Sequence, residues 1–319
     1  MAFKTANAEQ ITLDIISPEK TNGVDQDVAL VHFHGGFLVV GDKQTFPPNW
    51  LISACERRGW HYISPSYRLL PEATGEDAAN DAKTAVRWVH QHLARRIIIA
   101  GSSAGGYLAL LAAAQLRSIR PVAVLSIYGI NSPASADYTT LGSTLMGAPP
   151  MANLEKVVQD LKAAAEKGEP ISGYPFPEDK NDRRMGWIAA LHEATIYPDI
   201  ICGVPGLSKS IRMDGVQIIP KEVRQFFPLD FGLDAGFPPT AFLHGDQDSC
   251  VNVAQSVQAA EKLRNAKIKV LLEVVAGKDH GFDAMEVAPG VNVEAEGESG
   301  DISVHLKSIL RFLDEAVDQ

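Results

Sequence analysis

The sequence is short of cysteine, of long apolar runs and of positive charge. Its three cysteines, Cys55, Cys202 and Cys250, lie far apart and form no CxxC pair, so neither a disulfide scaffold nor a cysteine-based zinc site is expected. No apolar run approaches the roughly 18 residues that a membrane span requires. The opening residues, MAFKTANAEQ, lack the apolar core of a secretory signal. These absences predict a soluble, cytoplasmic protein.

The charge balance excludes two further classes of partner. The net charge is −10, from 39 acidic and 29 basic residues. Nucleic acids and anionic membrane surfaces attract basic patches, so neither is expected as the main partner. The apolar fraction of 45% is ordinary for a globular protein, and 319 residues suffice to bury a substantial core. We therefore expect a small-molecule partner, while the oligomeric state stays open.

What the chain does contain is a regular alternation of apolar and amphipathic segments. Apolar segments typical of strands occupy 11–16, 28–34, 61–67, 96–100, 121–129, 238–248 and 268–275. Segments with helical spacing of apolar residues occupy 77–93, the stretch from Ala104 onward, and 302–317. The stretch between the first two strands, SPEKTNGVDQD, is rich in turn residues. The alternation predicts an α/β fold with a mainly parallel sheet flanked by helices.

This alternation stops between 132 and 236. The segment contains amphipathic helical patterns, LEKVVQDLKAAAEKG and RRMGWIAALHEA, but no clear buried strand. We predict a core made of 1–131 and 237–319 with an inserted helical cap at 132–236. A second independent domain is the alternative, but no linker on either side supports it.

A tight glycine and serine cluster joins the apolar strand 96–100 to the helix that begins at Ala104. The sequence Gly101-Ser102-Ser103-Ala104-Gly105 fits the G-x-S-x-G pattern of a nucleophile elbow, which needs small flanking residues where strand and helix approach. The helix N-terminus would stabilise developing negative charge. Ser103 is the predicted nucleophile and Ser102 a bystander; a structural glycine turn is the alternative.

A serine nucleophile requires a base and an orienting carboxylate. Among nine histidines, His280 stands out because it lies in the loop GKDHGF directly after an apolar strand. The strand end HGDQD offers Asp246 and Asp248, and the spacing after the glycine favours Asp248. The resulting order, Ser103, Asp248, His280, is the order found in α/β-hydrolases.

A further glycine pair follows the strand 28–34. In HFHGGF (32–37), the glycines would let backbone N–H groups approach a substrate oxygen, as an oxyanion hole requires. His32 and His34 could instead form part of a metal site. No third ligand lies nearby in the sequence, so a metal is not expected.

Five motifs together resemble the hormone-sensitive-lipase-like (fold-3) esterase branch of the α/β-hydrolase superfamily. They are HGGFLVVGD (34–42), YRLLPE (67–72), GSSAGG (101–106), HGDQD (244–248) and DHGF (279–282). The resemblance covers roughly 28–131 and 237–317. It implies ester hydrolysis by a Ser-His-Asp triad without a cofactor or a metal.

The same resemblance implies an oxyanion hole formed by the N–H groups of Gly36, Phe37 and Ala104. His34, Gly35, Gly101 and Gly105 complete the supporting motifs. Phe37 replaces the third glycine of the family's H-G-G-G motif; its N–H is kept, but its phenyl group would alter the acyl pocket or the conformation of the loop. Arg68 and Glu72 of YRLLPE are interpreted as structural, stabilising a turn by charge-assisted hydrogen bonds.

The leading prediction is a carboxylic-ester hydrolase for a medium-sized, mostly apolar molecule. The alternatives are a biosynthetic tailoring hydrolase or acyl-transfer enzyme acting on a thioester, lactone or amide, since the triad does not fix the leaving group. A kynurenine-formamidase-like amidase is less favoured because that family has Trp after HGG. A non-catalytic receptor is disfavoured because such relatives typically have lost the histidine, whereas His280 is present. A prolyl-oligopeptidase-type peptidase is disfavoured because it needs an N-terminal propeller, for which this sequence has no room.

The 132–236 segment should line part of the cleft, because ligands bind at the carboxyl ends of the strands in open α/β sheets. Phe37 should add an apolar wall. Individual large side chains of the segment are more typical of its own core than of a pocket wall; they are Met151, Trp187, Tyr197, Phe226 and Phe227.

Overall fold

A computed structural model describes residues 1–6, 9–18, 27–116, 118–295 and 300–319. Within these residues, eight strands form one sheet in the order β1-β2-β4-β3-β5-β6-β7-β8. The strands are β1 (Ala2–Ala6), β2 (Glu9–Ile16), β3 (Val28–Phe33), β4 (His61–Pro65), β5 (Arg96–Ser102), β6 (Ala123–Ile127), β7 (Thr240–Gly245) and β8 (Val270–Val275). Strands β3 to β8 are parallel, whereas β1 and β2 run antiparallel at one edge. Residues 19–26 of the predicted turn lie outside the described part.

The parallel strands are apolar on both faces because helices cover both sides of the sheet. In β5, Ile97 and Ile99 pack in one apolar cluster, and Ile98 and Ala100 pack in the other. All four side chains are buried. This two-sided burial is the reason for the uninterrupted apolar run in the sequence.

The core helices are α1 (Asn49–Arg58), α2 (Gly75–His92), α3 (Ala104–Gln115), α10 (Ala254–Asn265), α11 (Phe282–Glu286) and α12 (Ser303–Val317). Helices α2, α3 and α10 cover one face of the sheet, and α1 and α12 cover the other. Each predicted strand and helix of the core is present, and the α/β-hydrolase fold class is confirmed.

Between β6 and β7 the chain forms six helices within the described residues: α4 (Ala136–Thr139), α5 (Leu154–Lys167), α6 (Arg183–Glu193), α7 (Tyr197–Cys202), α8 (Leu207–Asp214) and α9 (Pro228–Phe231). Short 3₁₀ turns lie at Leu145–Gly147, Val216–Ile218 and Lys221–Phe226. Apolar side chains of this segment join the same cluster as those of α2 and α3. The division into a core and a cap at 132 and 236 stays a prediction.

The N-terminal strand β1 was not predicted. It is short and half-exposed and pairs only with β2, so its sequence carries no apolar run and no buried alternation. Edge strands of this kind leave the weakest pattern. Among the described helices, none combines the length and the apolar character that a membrane crossing requires.

Candidate active site

Five loops meet at the carboxyl edge of the parallel strands. They follow β3, β5, β6, β7 and β8, and they carry Gly36, Ser103, Tyr128, Asp248 and His280 respectively. All of these residues except Asp248 line one cavity of about 330 Å³. The sheet therefore brings residues from five distant parts of the chain to one place, as open α/β sheets do.

Ser103 lies on a sharp turn between β5 and α3. Its φ of 55° and ψ of −120° are strained for a residue other than glycine. A Cβ atom at Gly101 would lie 2.0 Å from the carbonyl oxygen of Gly105, and one at Gly105 would lie 1.9 Å from that of Phe33. Only glycine fits at both positions, so the packing holds Ser103 in the elbow geometry that the sequence predicted.

His280 and Asp248 form a direct hydrogen bond. The Nδ1–H group of His280 donates to Oδ2 of Asp248 at 2.8 Å. Because Nδ1 carries the proton, Nε2 is left with a free lone pair, which is the form a general base requires.

Asp248 is held by several donors besides His280. Its Oδ1 accepts the N–H groups of Cys250 and Val251, both at 2.8 Å, and His244 Nε2 lies 3.2 Å from Oδ2. Burial alone would raise the pKa of Asp248, but the hydrogen bonds from His244, His280 and the Val251 N–H outweigh it and hold the pKa well below its usual value. Asp248 is therefore charged throughout the neutral range.

The other candidate carboxylate, Asp246, does not approach His280. It is exposed, and its Oδ1 accepts the N–H of Gly277 at 2.6 Å. Of the two aspartates at this strand end, the structure brings only Asp248 to the histidine, as the spacing favoured.

The loop after β3 has an unusual backbone. Gly36, Phe37 and Leu38 all have positive φ, of 106°, 56° and 63°. Within the described part of the chain, the N–H groups of Gly36, Phe37 and Ala104 have no hydrogen-bond acceptor. Three unpaired N–H groups beside a serine are what an oxyanion hole requires.

The carbonyl groups of this loop, in contrast, are bound by the 132–236 segment. Tyr197 donates its hydroxyl to the Phe37 oxygen at 2.7 Å, and Arg184 donates to the Val39 oxygen at 2.7 Å. The backbone of Tyr174 pairs with that of Gly41. The segment therefore anchors the backbone of this loop just after the Gly36 and Phe37 N–H groups.

His32 and His34 are buried parts of the scaffold. His32 contacts the Ser102 hydroxyl with Nε2 at 2.9 Å and the Tyr62 hydroxyl with Nδ1 at 3.0 Å. His34 donates Nδ1–H to the Gly35 oxygen at 2.8 Å. Burial lowers the pKa of His32 to about 3 and that of His34 to about 4, so both rings are neutral.

Among the described residues, those that could together bind a metal ion are not His32 and His34 but a group that includes two members of the predicted triad. Asp248, Cys250 and His280 each offer one ligand atom, and these atoms lie within 4.8 Å of one another. Two of these three residues are already hydrogen-bonded to each other, so a metal here would compete with the pair described above.

The cavity wall is mostly apolar and has two sources. The core contributes Phe37, Phe46 and Met285 beside the polar residues. The 132–236 segment contributes Leu145, Met146, Phe176, Met185 and Ile188. The large side chains singled out from the sequence, Met151, Trp187, Tyr197, Phe226 and Phe227, do not line it, and the four aromatic ones are buried in the apolar core.

Sequence reasoning missed Tyr128, which follows β6. Its ring lies 4.6 Å from that of His280, and its hydroxyl donates to buried Asp283 at 2.7 Å. Trp50 donates to the same carboxylate at 2.8 Å. The sequence SIYG, with an aromatic residue and a glycine at the end of the strand, was the available signal that Tyr128 lies near the site.

The residues of YRLLPE bind helices rather than each other. Arg68 forms a two-pronged ion pair with Asp81 of α2, at 2.7 and 2.9 Å. Glu72 pairs with Arg184 of α6 at 2.5 Å. None of these four residues lines the cavity that contains Ser103, which agrees with a structural role.

Comparison with known proteins agrees with this architecture. Residues 30–169 match the model of a family described as alpha/beta hydrolase fold. Over 92% of its length the chain is 24% identical to the non-reducing polyketide synthase pkbA of Emericella nidulans, but it spans only 13% of that protein. It is 25% identical to the probable carboxylesterase M8 of a Phoma species, over 84% of both chains.

Solved structures share the whole fold. The crystal structure of an alpha/beta hydrolase superfamily protein from Enterococcus faecalis aligns with a TM-score of 0.67 at 17% identity, covering 98% of this chain and 97% of that one. A mostly parallel sheet with a serine elbow after a central strand defines the α/β-hydrolase class. The chain has the α/β-hydrolase fold, as its motifs predicted.

Proposed function

We propose that the protein is a serine hydrolase that cleaves carboxylic esters, with Ser103, His280 and Asp248 as its triad. The observation that carries the proposal is the hydrogen bond of 2.8 Å from His280 to Asp248, because His280 lines the same cavity as Ser103 on its strained turn. The similarity to the probable carboxylesterase M8 supports the same reaction class.

In the proposed mechanism, Ser103 Oγ attacks the ester carbonyl while His280 Nε2 takes its proton. Asp248 keeps His280 in the required tautomer and stabilises the imidazolium that forms. The N–H groups of Gly36, Phe37 and Ala104 stabilise the oxyanion. His280 then protonates the leaving alcohol, and a water molecule hydrolyses the acyl-enzyme by the same steps in reverse.

The cavity supports a medium-sized, mostly apolar substrate. Its volume of about 330 Å³ and its wall of Phe, Leu, Ile and Met side chains would accept a short acyl chain or an aromatic ring. The 132–236 segment acts as a cap in this proposal, since it supplies five of the apolar wall residues.

A series of nitrophenyl esters from acetyl to palmitoyl tests the proposal. We expect hydrolysis with a maximum at short to medium acyl chains and none in Ser103→Ala protein. A maximum at palmitoyl with activation by an interface would instead indicate a lipase. Hydrolysis that persists in the Ser103→Ala variant would refute the triad assignment.

A second candidate is acyl transfer or hydrolysis of a thioester in a biosynthetic pathway. It is favoured by the similarity to the polyketide synthase pkbA over 92% of this chain. The triad chemistry would be unchanged, because only the leaving group differs. Comparing an aryl ester with the matching thioester of a small thiol, with and without added alcohol acceptors, distinguishes the two candidates by the ratio of kcat/KM and by the product formed.

A further inference from the structure

A second cavity of about 270 Å³ lies next to the apolar one. The two cavities share Leu145, Ser249 and Cys250 as lining residues, so a ligand in the apolar cavity lies about one side chain away from the second. The second cavity is polar. The 132–236 segment contributes Asp137 and His192 to it, and the loop after β7 contributes Asp248 and Asn252.

His192 has one ring nitrogen without a partner. Its Nδ1 lies 2.8 Å from the carbonyl oxygen of Ile188, one turn earlier in α6. A carbonyl oxygen can only accept, so Nδ1 carries the proton and Nε2 is an acceptor. This Nε2 is buried and has no hydrogen-bond partner among the described residues. Burial lowers the pKa of His192, which keeps Nε2 unprotonated at neutral pH.

The surroundings of His192 favour a neutral donor as ligand. Asp137 and Asp248 both line the cavity and would repel a carboxylate or a phosphate. The hydroxyl groups of Ser143 and Ser249 already donate to protein oxygens, Thr140 O and Asp279, both at 2.9 Å. Thr144 and Asn252 add donor groups to the lining, while His192 Nε2 and the carboxylates of Asp137 and Asp248 are acceptors.

We propose that the second cavity is a specificity subsite that binds a hydroxyl group of the substrate, with His192 Nε2 as the acceptor. The inference rests on the proposed ester hydrolysis and names its substrate class: a hydroxylated, otherwise apolar ester such as a phenolic one. A buried acceptor without a partner costs free energy unless a ligand or a water molecule satisfies it. The experiment below separates these two possibilities.

The test measures binding to Ser103→Ala protein by calorimetry, so that it does not depend on turnover. The ligands are ethyl 3-phenylpropanoate and its 2-, 3- and 4-hydroxyphenyl analogues. We expect at least one hydroxylated isomer to bind about 3- to 10-fold more tightly than the parent ester, the range of one neutral hydrogen bond. Adding His192→Phe, which keeps the ring contact with Phe37, should reduce this preference to less than about twofold.

His92 provides a matched control. It lies exposed on α2 and makes the same Nδ1 contact, 2.8 Å from the carbonyl of Trp88 four residues earlier. His92→Phe should leave the preference intact. If His192→Phe protein does not fold, His192→Met replaces it, since a thioether is a weak acceptor. His192→Gln, whose amide oxygen can accept, should keep part of the preference.

The subsite is refuted if no hydroxylated isomer binds more tightly than the parent ester, since a water molecule would then satisfy His192 Nε2. It is also refuted if the preference for the hydroxylated isomer survives in His192→Phe protein. Absence of measurable binding by all four esters also refutes it. Failure of the proposed function is seen separately, as absent hydrolysis of the parent ester and absent labelling of Ser103 by a fluorophosphonate in the unmutated protein.

Discussion

The sheet and the 132–236 segment both line the apolar cavity, but they build their parts of it in different ways. Around Ser103 the backbone sets the geometry, through the close approach at Gly101 and Gly105 and the positive φ angles of Gly36 and Phe37. In the 132–236 segment, the wall consists of side chains such as those of Met185 and Ile188, whose positions depend on how helix α6 packs.

This difference explains why the reaction class can be inferred from the sequence and the substrate cannot. Backbone geometry requires particular residues at fixed spacing, so it leaves a motif. An apolar wall requires only suitable volume, so many sequences would serve. The two regions are nevertheless coupled, because Arg184 and Tyr197 bind the carbonyl groups of the oxyanion loop. Each prediction below tests this division of roles.

The largest effect is expected from Ser103→Ala. Loss of the nucleophile from such a triad costs roughly a millionfold in turnover, while the fold should survive, as judged by circular dichroism. Ser102→Ala is the matched control, since the Ser102 hydroxyl is bound to His32 and is no part of the proposed triad. Initial rates with a nitrophenyl ester measure both. Similar losses in the two variants would contradict the assignment.

Asp248→Asn should lower turnover by about 10⁴, because the amide would orient the wrong tautomer of His280 toward Ser103. Asp246→Asn changes an exposed carboxylate at the same strand end and should stay within a few-fold of the parent protein. The ratio of the two kcat values is the measurement. A ratio near one would leave the choice of carboxylate unsupported.

Arg184→Met tests the coupling between the two regions. It removes the donor to Val39 O and leaves Glu72, 13% exposed, without its partner, so we expect a loss of about 3 to 5 kcal/mol in the free energy of unfolding. The neighbouring Arg183 pairs with Asp160 on the surface, where its side chain is 60% exposed. Arg183→Met should therefore cost only about 0 to 1 kcal/mol. Urea unfolding compares the two, and equal losses would argue against the coupling.

Acid should destabilise the core through its buried histidines. The pKa of His32 is lowered to about 3 and that of His34 to about 4, so both stay neutral in the folded protein while they gain protons in the unfolded chain below pH ~6.5. Their stabilising contribution is present above that pH and is lost as the pH falls. Between pH 7 and 5, protonation of these two histidines in the unfolded chain should lower the free energy of unfolding by about 3 to 4 kcal/mol.

Urea unfolding at several pH values measures this loss. His34→Gln removes one titrating ring, so the change in the free energy of unfolding between pH 7 and 5 should be about half as large. Burial raises the pKa of Asp230 and Asp283, so protonation of these two carboxylates in the folded protein would oppose the loss, and the comparison with His34→Gln isolates the histidine contribution. A free energy of unfolding that does not change from pH 7 to 5 would contradict the neutral, buried state of these rings.

The smallest effect concerns the cavity wall. Met185→Ala enlarges the apolar cavity and leaves the triad residues unchanged. The ratio of kcat/KM for longer acyl chains to that for shorter ones should therefore rise by about tenfold, the lower end of the range for a change of one methylene group. Met213→Ala, at an exposed methionine of the same segment, should leave the preference unchanged. An unchanged profile in Met185→Ala would mean that the segment does not set acyl selectivity.

The sequence was sufficient for the parts of the site that local backbone geometry determines. Ser103 with its flanking glycines, and Asp248 and His280 at strand ends, could be named because the strand order of the fold places them together. Arg184 and His192 could not, because their roles arise from contacts between elements far apart in the chain, and Tyr128 left only the short signal SIYG at the end of β6. The short edge strand β1 escaped detection because it buries little apolar surface.

The most direct test of the central claim is fluorophosphonate labelling of the unmutated protein followed by peptide mapping. The claim predicts one label per chain on the tryptic peptide 97–117, with fragmentation placing it on Ser103 rather than Ser102. The label should be absent from Ser103→Ala protein. Labelling of another residue, or none, would contradict the account.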